Sequence, residues 1–249
     1  MIDVVTEIQN EQYMEFPYHY IPYIEPNGCP SITRSLSWGY EYLAMLEYLK
    51  GKILEYKPEK MLDVGCGDGR LIYEVKNDID YCCGMDLSEV AINYAKAFNY
   101  EKNCHFDMKK VQDLTEQFDL VTCIEVLEHI PDIEIKNFLV GAWNCVKKGG
   151  VLIITVPSVV IPLKDKHYRH YTIESLLSSL KNVNIPLDII TYEYAIHFQL
   201  NQRINKCLEM KIIREFSSFR VFLWKYYLNK VVPADKESGR HIVLTVQKQ

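Results

Sequence analysis

Short apolar runs and amphipathic stretches alternate through the middle of the chain. The runs at 60–64, 80–85, 103–107, 118–124 and 151–156 have the length of buried strands. Between them, apolar residues recur at helical spacing near 69–76, 88–98 and 132–146. Ser88, followed by Ala91, Ile92, Ala95 and Phe98, reads as the cap of one amphipathic helix, and Thr172 as the cap of another. Further runs at 187–194 and 241–246 read as closing strands. Strands that alternate with helices imply a parallel sheet covered by helices on its faces.

The ends of the chain break this rhythm. Phe16 to Tyr23 is punctuated by Pro17 and Pro22, so it reads as an extended arm, and Leu36, Tyr40, Leu43, Leu46 and Leu49 then repeat at helical spacing. Residues 1–58 are therefore expected to form an arm and cap helix, and 59–249 the main α/β domain. Before the last strand, a helical insertion is expected over about 196–235. Residues 201–230 carry seven basic side chains against two acidic ones, together with Phe216, Phe219, Phe222, Trp224, Tyr226 and Tyr227. Such a surface fits packing on the sheet edge, a second subunit as in a homodimer, a peripheral membrane contact, a phosphorylated or lipid-linked molecule, or RNA.

With 249 residues and 48% hydrophobic content the chain has ample material for one core. Its net charge of −5 argues against a polyanionic partner, DNA or RNA, because phosphate neutralisation dominates such binding. Eight cysteines form no Cys-x-x-Cys pair, and several fall in apolar runs, which points to a reducing compartment and no structural zinc. No apolar run reaches 18 residues and no charged-then-apolar leader is present, so a cytoplasmic location is expected.

The densest signal is Leu62-Asp63-Val64-Gly65-Cys66-Gly67-Asp68-Gly69-Arg70, an apolar strand end running into a glycine-rich turn. Glycines there let the backbone turn sharply and approach a ligand closely, at the N-terminus of a helix. A dinucleotide fingerprint would need Gly or Ala where Arg70 stands. Asp86 ends the second strand 21 residues after Gly65, where a carboxylate can accept hydrogen bonds from both ribose hydroxyls. His105-Phe106-Asp107 ends the third strand, and Phe118 to Ile130 and Lys147 to Pro157 supply the fourth and fifth, each with its turn.

These ordered elements resemble motif I and the following motifs of the class I S-adenosylmethionine-dependent methyltransferases, and in particular the ubiquinone-biosynthesis O-methyltransferase-like group. The resemblance implies a Rossmann-like, doubly wound, seven-stranded sheet with an antiparallel last strand. It also implies S-adenosylmethionine as cofactor and assigns its contacts. Asp63, Gly65, Cys66, Gly67 and Gly69 would hold the methionine end, Asp86 and Leu87 the ribose, and Asp107 with Met108 the adenine. Ile124 and Glu125 would line the methionine part at the fourth strand end.

Methyl transfer from a sulfonium requires acceptor and methyl held in line, and a hydroxyl acceptor also benefits from a base near neutrality. His129, His167 and His170 fall in segments expected at the carboxyl edge of the sheet. His129 and His167 are the candidate bases, and Tyr18, His19, Trp38 and His170 the candidate acceptor contacts. A hydroxyl on a small or carrier-linked molecule, such as a sugar or lipid-linked intermediate, is the expected acceptor. Glu125-Val126-Leu127-Glu128-His129 also resembles the metal-binding segment of small-RNA 3′-terminal ribose 2′-O-methyltransferases. Under that alternative Glu125, Glu128, His129 and His167 would hold a divalent metal; otherwise no metal is expected. A non-catalytic S-adenosylmethionine-binding partner subunit is the remaining alternative.

Overall fold

The computed structural model describes residues 18–31, 39–186, 190–210 and 216–249, together with Ile8 and Glu11. A short 3-10 turn, Tyr18–Tyr20, precedes helix α1 (Gly39–Glu55). The chain then alternates: β1 (Lys60–Val64), α2 (Arg70–Val75), β2 (Tyr81–Asp86), α3 (Glu89–Phe98), β3 (Cys104–Met108), β4 (Phe118–Ile124), α4 (Asp132–Asn144) and β5 (Val146–Pro157). It closes with α5 (Ile173–Lys181), β6 (Ile190–His197), α6 (Phe198–Glu209), α7 (Ser217–Tyr226), a π-helical turn Tyr227–Val231, β7 (Pro233–Ala234) and β8 (Gly239–Gln247).

The eight described strands form one sheet in the order β3-β2-β1-β4-β5-β8-β6-β7. The first five run parallel, and β8 pairs antiparallel with both β5 and β6. Seven strands were expected; the eighth, β7, is a two-residue segment paired to β6 at Tyr194 and Ala195. β5 also starts earlier than its apolar run. Gly149 takes φ 80 and Gly150 lies against Asp119, where a Cβ would sit 2.8 Å from the Asp119 carbonyl oxygen. What reads as a turn is therefore a register shift within the sheet, opposite Phe118 and Leu120.

Alternation along the strands divides the core in two. Met61 and Ile153 face the layer built by α1, α2, α3, α6 and α7, whereas Leu62, Leu152 and Ile154 face α4 and α5. The helices start where the sequence places caps. The Ser88 side chain accepts a hydrogen bond from the Ala91 N–H, and Thr172 forms a reciprocal capping box with Ser175. The chain winds outward through β2 and β3 and then returns to β4 on the other side of β1. Ligands bind at such a reversal, beyond the carboxyl ends of the strands. Among the described residues no helix is long and apolar enough to cross a membrane.

Candidate functional site

The loop after β1 is fixed by its own packing. Gly65 has φ 73, and a Cβ there would lie 2.5 Å from Val126 Cγ2; Gly69 has φ 77, with Asn99 Nδ2 at 2.8 Å. Neither position accepts a side chain. Asp86 braces the loop from the end of β2: one carboxylate oxygen accepts from Gly67 N–H at 2.9 Å and the other from Ser88 N–H at 2.8 Å. Burial raises the Asp86 pKa against these bonds. Asp63 lies buried beneath the loop and accepts a 2.6 Å hydrogen bond from the Thr122 hydroxyl, joining β1 to β4. Burial pushes its carboxyl up to about 7, helped by the charge on Asp86. Cys66 is buried, and its thiol is held well above its usual range by burial.

Beside Asp86, Leu87 is 62% exposed and Met108 56% exposed. Met108 is the β3 partner of Asp86, so two apolar side chains stand at the strand ends next to a carboxylate. That ledge, with the bare glycine turn, suits a nucleoside whose ring needs apolar cover and whose ribose needs an acceptor. Asp107 is exposed and paired with Lys109 at 3.0 Å. A groove of about 520 Å³ runs along β3 past His105 and Asp107, and it includes none of Glu125, Glu128, His129 or His167.

The arm covers the loop from the other side. His19 Nδ1 lies 2.8 Å from Asp68 Oδ2, and the Tyr20 hydroxyl donates to the Asp68 carbonyl. Tyr20 stacks on Phe98 with ring centroids 3.9 Å apart. The Arg70 guanidinium donates to the carbonyls of His19 and Pro22, both at 3.1 Å, and pairs with Glu74. Arg70 thus fastens the arm. His19 meets the cofactor loop through Asp68, Tyr18 lies in the same short turn, and Trp38 lies outside the described residues.

Past β4 the chain turns sharply. Ile124 ends the strand half-buried, and Glu125 adopts φ 54 with its N–H bonded to Thr155. Its carboxylate accepts from the Thr155 hydroxyl at 3.0 Å and lies 3.1 Å from His241 Nδ1. His241 also faces Glu41 at 3.4 Å, and Glu41 pairs with Arg240 at 2.8 Å. Against the cost of burial, the two carboxylates raise His241 to about 9, and His241 draws Glu125 down to about 2. Sequence reasoning missed Glu41 and His241, because three residues so far apart along the chain leave no local pattern.

Glu128, His129 and His167 come together: one ligand atom from each lies within 4.8 Å of the others. Glu128 is fully buried, and neither carboxylate oxygen has a hydrogen-bond partner among the described residues. Burial, reinforced by Glu125, holds its pKa well above the usual carboxylate range. His129 Nδ1 lies 2.8 Å from the Lys166 carbonyl and must donate to it, which leaves a lone pair on Nε2, 3.7 Å from Glu128. His170 Nδ1 likewise donates to the Ile161 carbonyl at 3.1 Å, so its Nε2 accepts from His167 Nδ1 at 2.8 Å. His167 therefore also keeps its lone pair on Nε2. Burial lowers His129 to about 4 and His167 to about 3, so both imidazoles are neutral near pH 7. Arg169 ties this loop to the turn after β4 through the carbonyls of Leu127 and Ile130. An orphaned carboxylate facing two neutral imidazoles, each oriented by a hydrogen bond at its other nitrogen, is a donor set that fits a divalent cation. Glu125 does not join this cluster.

Residues 62–154 match the family described as a methyltransferase domain. The ubiquinone biosynthesis O-methyltransferase of Coxiella burnetii is 34% identical over 115 residues, 44% of this chain and 48% of that protein. This chain thus spans about half the length of such relatives. The magnesium protoporphyrin IX methyltransferase of Synechocystis superposes over 100% of this chain and 99% of its own, with TM-score 0.59 and 12% identity. The methyltransferase domain of bacterial CtHen1 superposes over 83% of this chain and 98% of its own, with TM-score 0.56 and 13% identity. The superpositions show the fold, and residues 62–154 are similar to the methyltransferase domain of S-adenosylmethionine-dependent methyltransferases.

Proposed function

We propose that the chain methylates a hydroxyl of a small or carrier-linked molecule. When bound, S-adenosylmethionine supplies an electrophilic methyl group on a sulfonium. The observation that carries the reading is the pair of neutral imidazoles with lone pairs on Nε2, His129 at the turn beyond β4 and His167 in the loop between β5 and α5. A hydroxyl loses its proton as its oxygen attacks, and a neutral Nε2 accepts that proton; held at about 4 and 3, both imidazoles are weaker bases than a free one, so the positive charge they gain has to be met by a neighbouring carboxylate. Asp86 and the Gly65–Gly69 loop would hold the cofactor, and the arm around His19 and Tyr20 would exclude water from it. The relatives' O-methyltransferase activity supports an oxygen acceptor.

The test is transfer of radiolabelled methyl into fractionated extract, combined with cofactor binding by calorimetry. Asp86→Ala should raise the S-adenosylmethionine Kd at least about tenfold, because a carboxylate hydrogen-bond acceptor contributes roughly 1.5–3 kcal/mol. His129→Ala and His167→Ala should lower transfer while leaving that Kd within about twofold. Unchanged transfer in both histidine variants would sink the base assignment.

The buried Glu128 carboxylate favours a second reading, in which Glu128, His129 and His167 hold a divalent cation. Such a cation would neutralise the carboxylate and polarise the acceptor hydroxyl, a chemistry suited to a ribose 2′-hydroxyl at an RNA end. Label recovered in RNA and abolished by EDTA would select this reading. Label in the small-molecule or lipid fraction that EDTA leaves intact would select the first.

A further inference from the structure

We propose that the outer face of α7 docks on an anionic membrane surface and brings the ligand edge of the sheet to an acceptor held in the bilayer. The docking stands independently, whereas the benefit to an acceptor rests on the function proposed above. The helix has two unlike faces. Leu223 and Trp224 are buried, and Trp224 packs edge-on against Tyr40 of α1 with ring centroids 5.4 Å apart. Tyr227, one turn further on, is fully buried and its hydroxyl donates to Asn201 at 2.6 Å. The inner face therefore fixes the helix rigidly.

On the outer face, Phe219, Phe222 and Tyr226 follow one another at helical spacing and are 40%, 60% and 38% exposed. Phe216, at the N-terminal end, is exposed as well. Phe219 and Phe222 stack on each other at 6.1 Å instead of turning inward. A single exposed aromatic is ordinary, but a row of them along one short helix is a binding surface.

Charge selects the occupant. Lys225 on α7 and Lys230 on the π turn are exposed beside the row, and Arg203 and Lys206 lie on α6. Arg220 is already committed to Glu25 at 3.2 Å. This positive surface sits in a chain of net charge −5, so it does not follow from overall composition. Exposed aromatic rings with lysines beside them suit rings sinking to headgroup depth with the ammonium groups at the phosphates. Topology supplies the link to the site. From α7 the chain runs through Val231–Ala234 to the start of β8, where His241 pairs with Pro157 and contacts Glu125. The docking helix and the site thus leave the sheet at the same end.

The experiment is sedimentation of the full chain with vesicles of phosphatidylcholine mixed with phosphatidylglycerol, and with vesicles of phosphatidylcholine alone. Binding to the mixed vesicles, weakened by salt and by pure phosphatidylcholine, is expected. F219S/F222S and K225E/K230E should each raise the lipid concentration for half-binding by at least about tenfold. Both pairs change exposed side chains, and unaltered circular dichroism and cofactor affinity would verify folding. Absence of binding to either vesicle, or binding that both variants retain, would overturn the proposal. So would a dimer in light scattering that F219S/F222S dissociates while vesicle binding persists, since the face would then belong to a second copy. These readouts use no methyl acceptor, so they succeed or fail apart from the proposed reaction.

Discussion

Glu128 is the residue at which folding and chemistry conflict most openly. A buried carboxylate with no hydrogen-bond partner among the described residues keeps its desolvation cost, and burial holds it in the neutral form well above the usual range. Methionine has similar length and removes the polar atoms. Glu128→Met should therefore stabilise the metal-free protein by about 1–3 kcal/mol in urea unfolding. If Glu128, His129 and His167 hold a cation, the same substitution should abolish any rise in Tm that manganese produces in the wild type. A loss of stability would mean that the carboxylate has a partner, and would count against the cation site. Gly65 makes the complementary point. Its sequence context identified the loop, yet the reason for glycine is Val126, 2.5 Å from where a Cβ would stand, a contact no local reading supplies.

At the scale of elements, the arm and the cofactor loop form one unit. Arg70 holds two arm carbonyls with a planar fork that lysine lacks, so Arg70→Lys should behave much like Arg70→Ala. Either should speed amide exchange over residues 18–31 and weaken cofactor binding, with about 1.5–3 kcal/mol lost from the anchoring hydrogen bonds. Unchanged exchange in both variants would show that the Tyr20–Phe98 stack alone secures the arm. From the sequence, Arg70 was legible only as a residue unsuited to a dinucleotide turn. The strands were far more legible, because an apolar run that ends at Val64, Asp86 or Ile124 marks both core and edge. The start of β5 was not, since Gly149 and Gly150, which read as a turn, exchange backbone hydrogen bonds with Lys248 within the strand Val146–Pro157. Asp119 explains part of this: its carboxylate caps the N–H groups of Glu59 and Lys60 and pairs with Lys147, fixing that corner of the sheet.

Across the whole molecule, Glu41, Glu125 and His241 join the cap helix, the β4 turn and the last strand around one part-buried imidazole. The groups facing it also include Arg240, which pairs with Glu41, and Asn201, which donates to Glu41 and accepts from Tyr227. His241 is raised to about 9, so its contribution to stability is fully present below its unfolded pKa near 6.5 and is lost as pH rises through 9. Glu125 is lowered to about 2, so its contribution is present above about 4.5 and is lost as pH falls through 2. The pair is thus fully effective between about pH 4.5 and 6.5. His241→Gln leaves the part-buried Glu125 carboxylate beside a neutral side chain and should cost about 2 kcal/mol at pH 6. The difference from wild type should shrink to under about 1 kcal/mol by pH 10, where the wild-type imidazole has itself lost its proton. Urea midpoints of both proteins at pH 6 and pH 10 provide the check, and comparison at each pH cancels the titration of His129 and His167. A pH-independent difference would assign His241 a packing role and leave Glu125 held by Thr155 alone. A shrinking difference would mean that one proton, far from the arm and the cofactor loop in sequence, ties the cap helix to the turn that carries Glu125 and leads to Glu128 and His129.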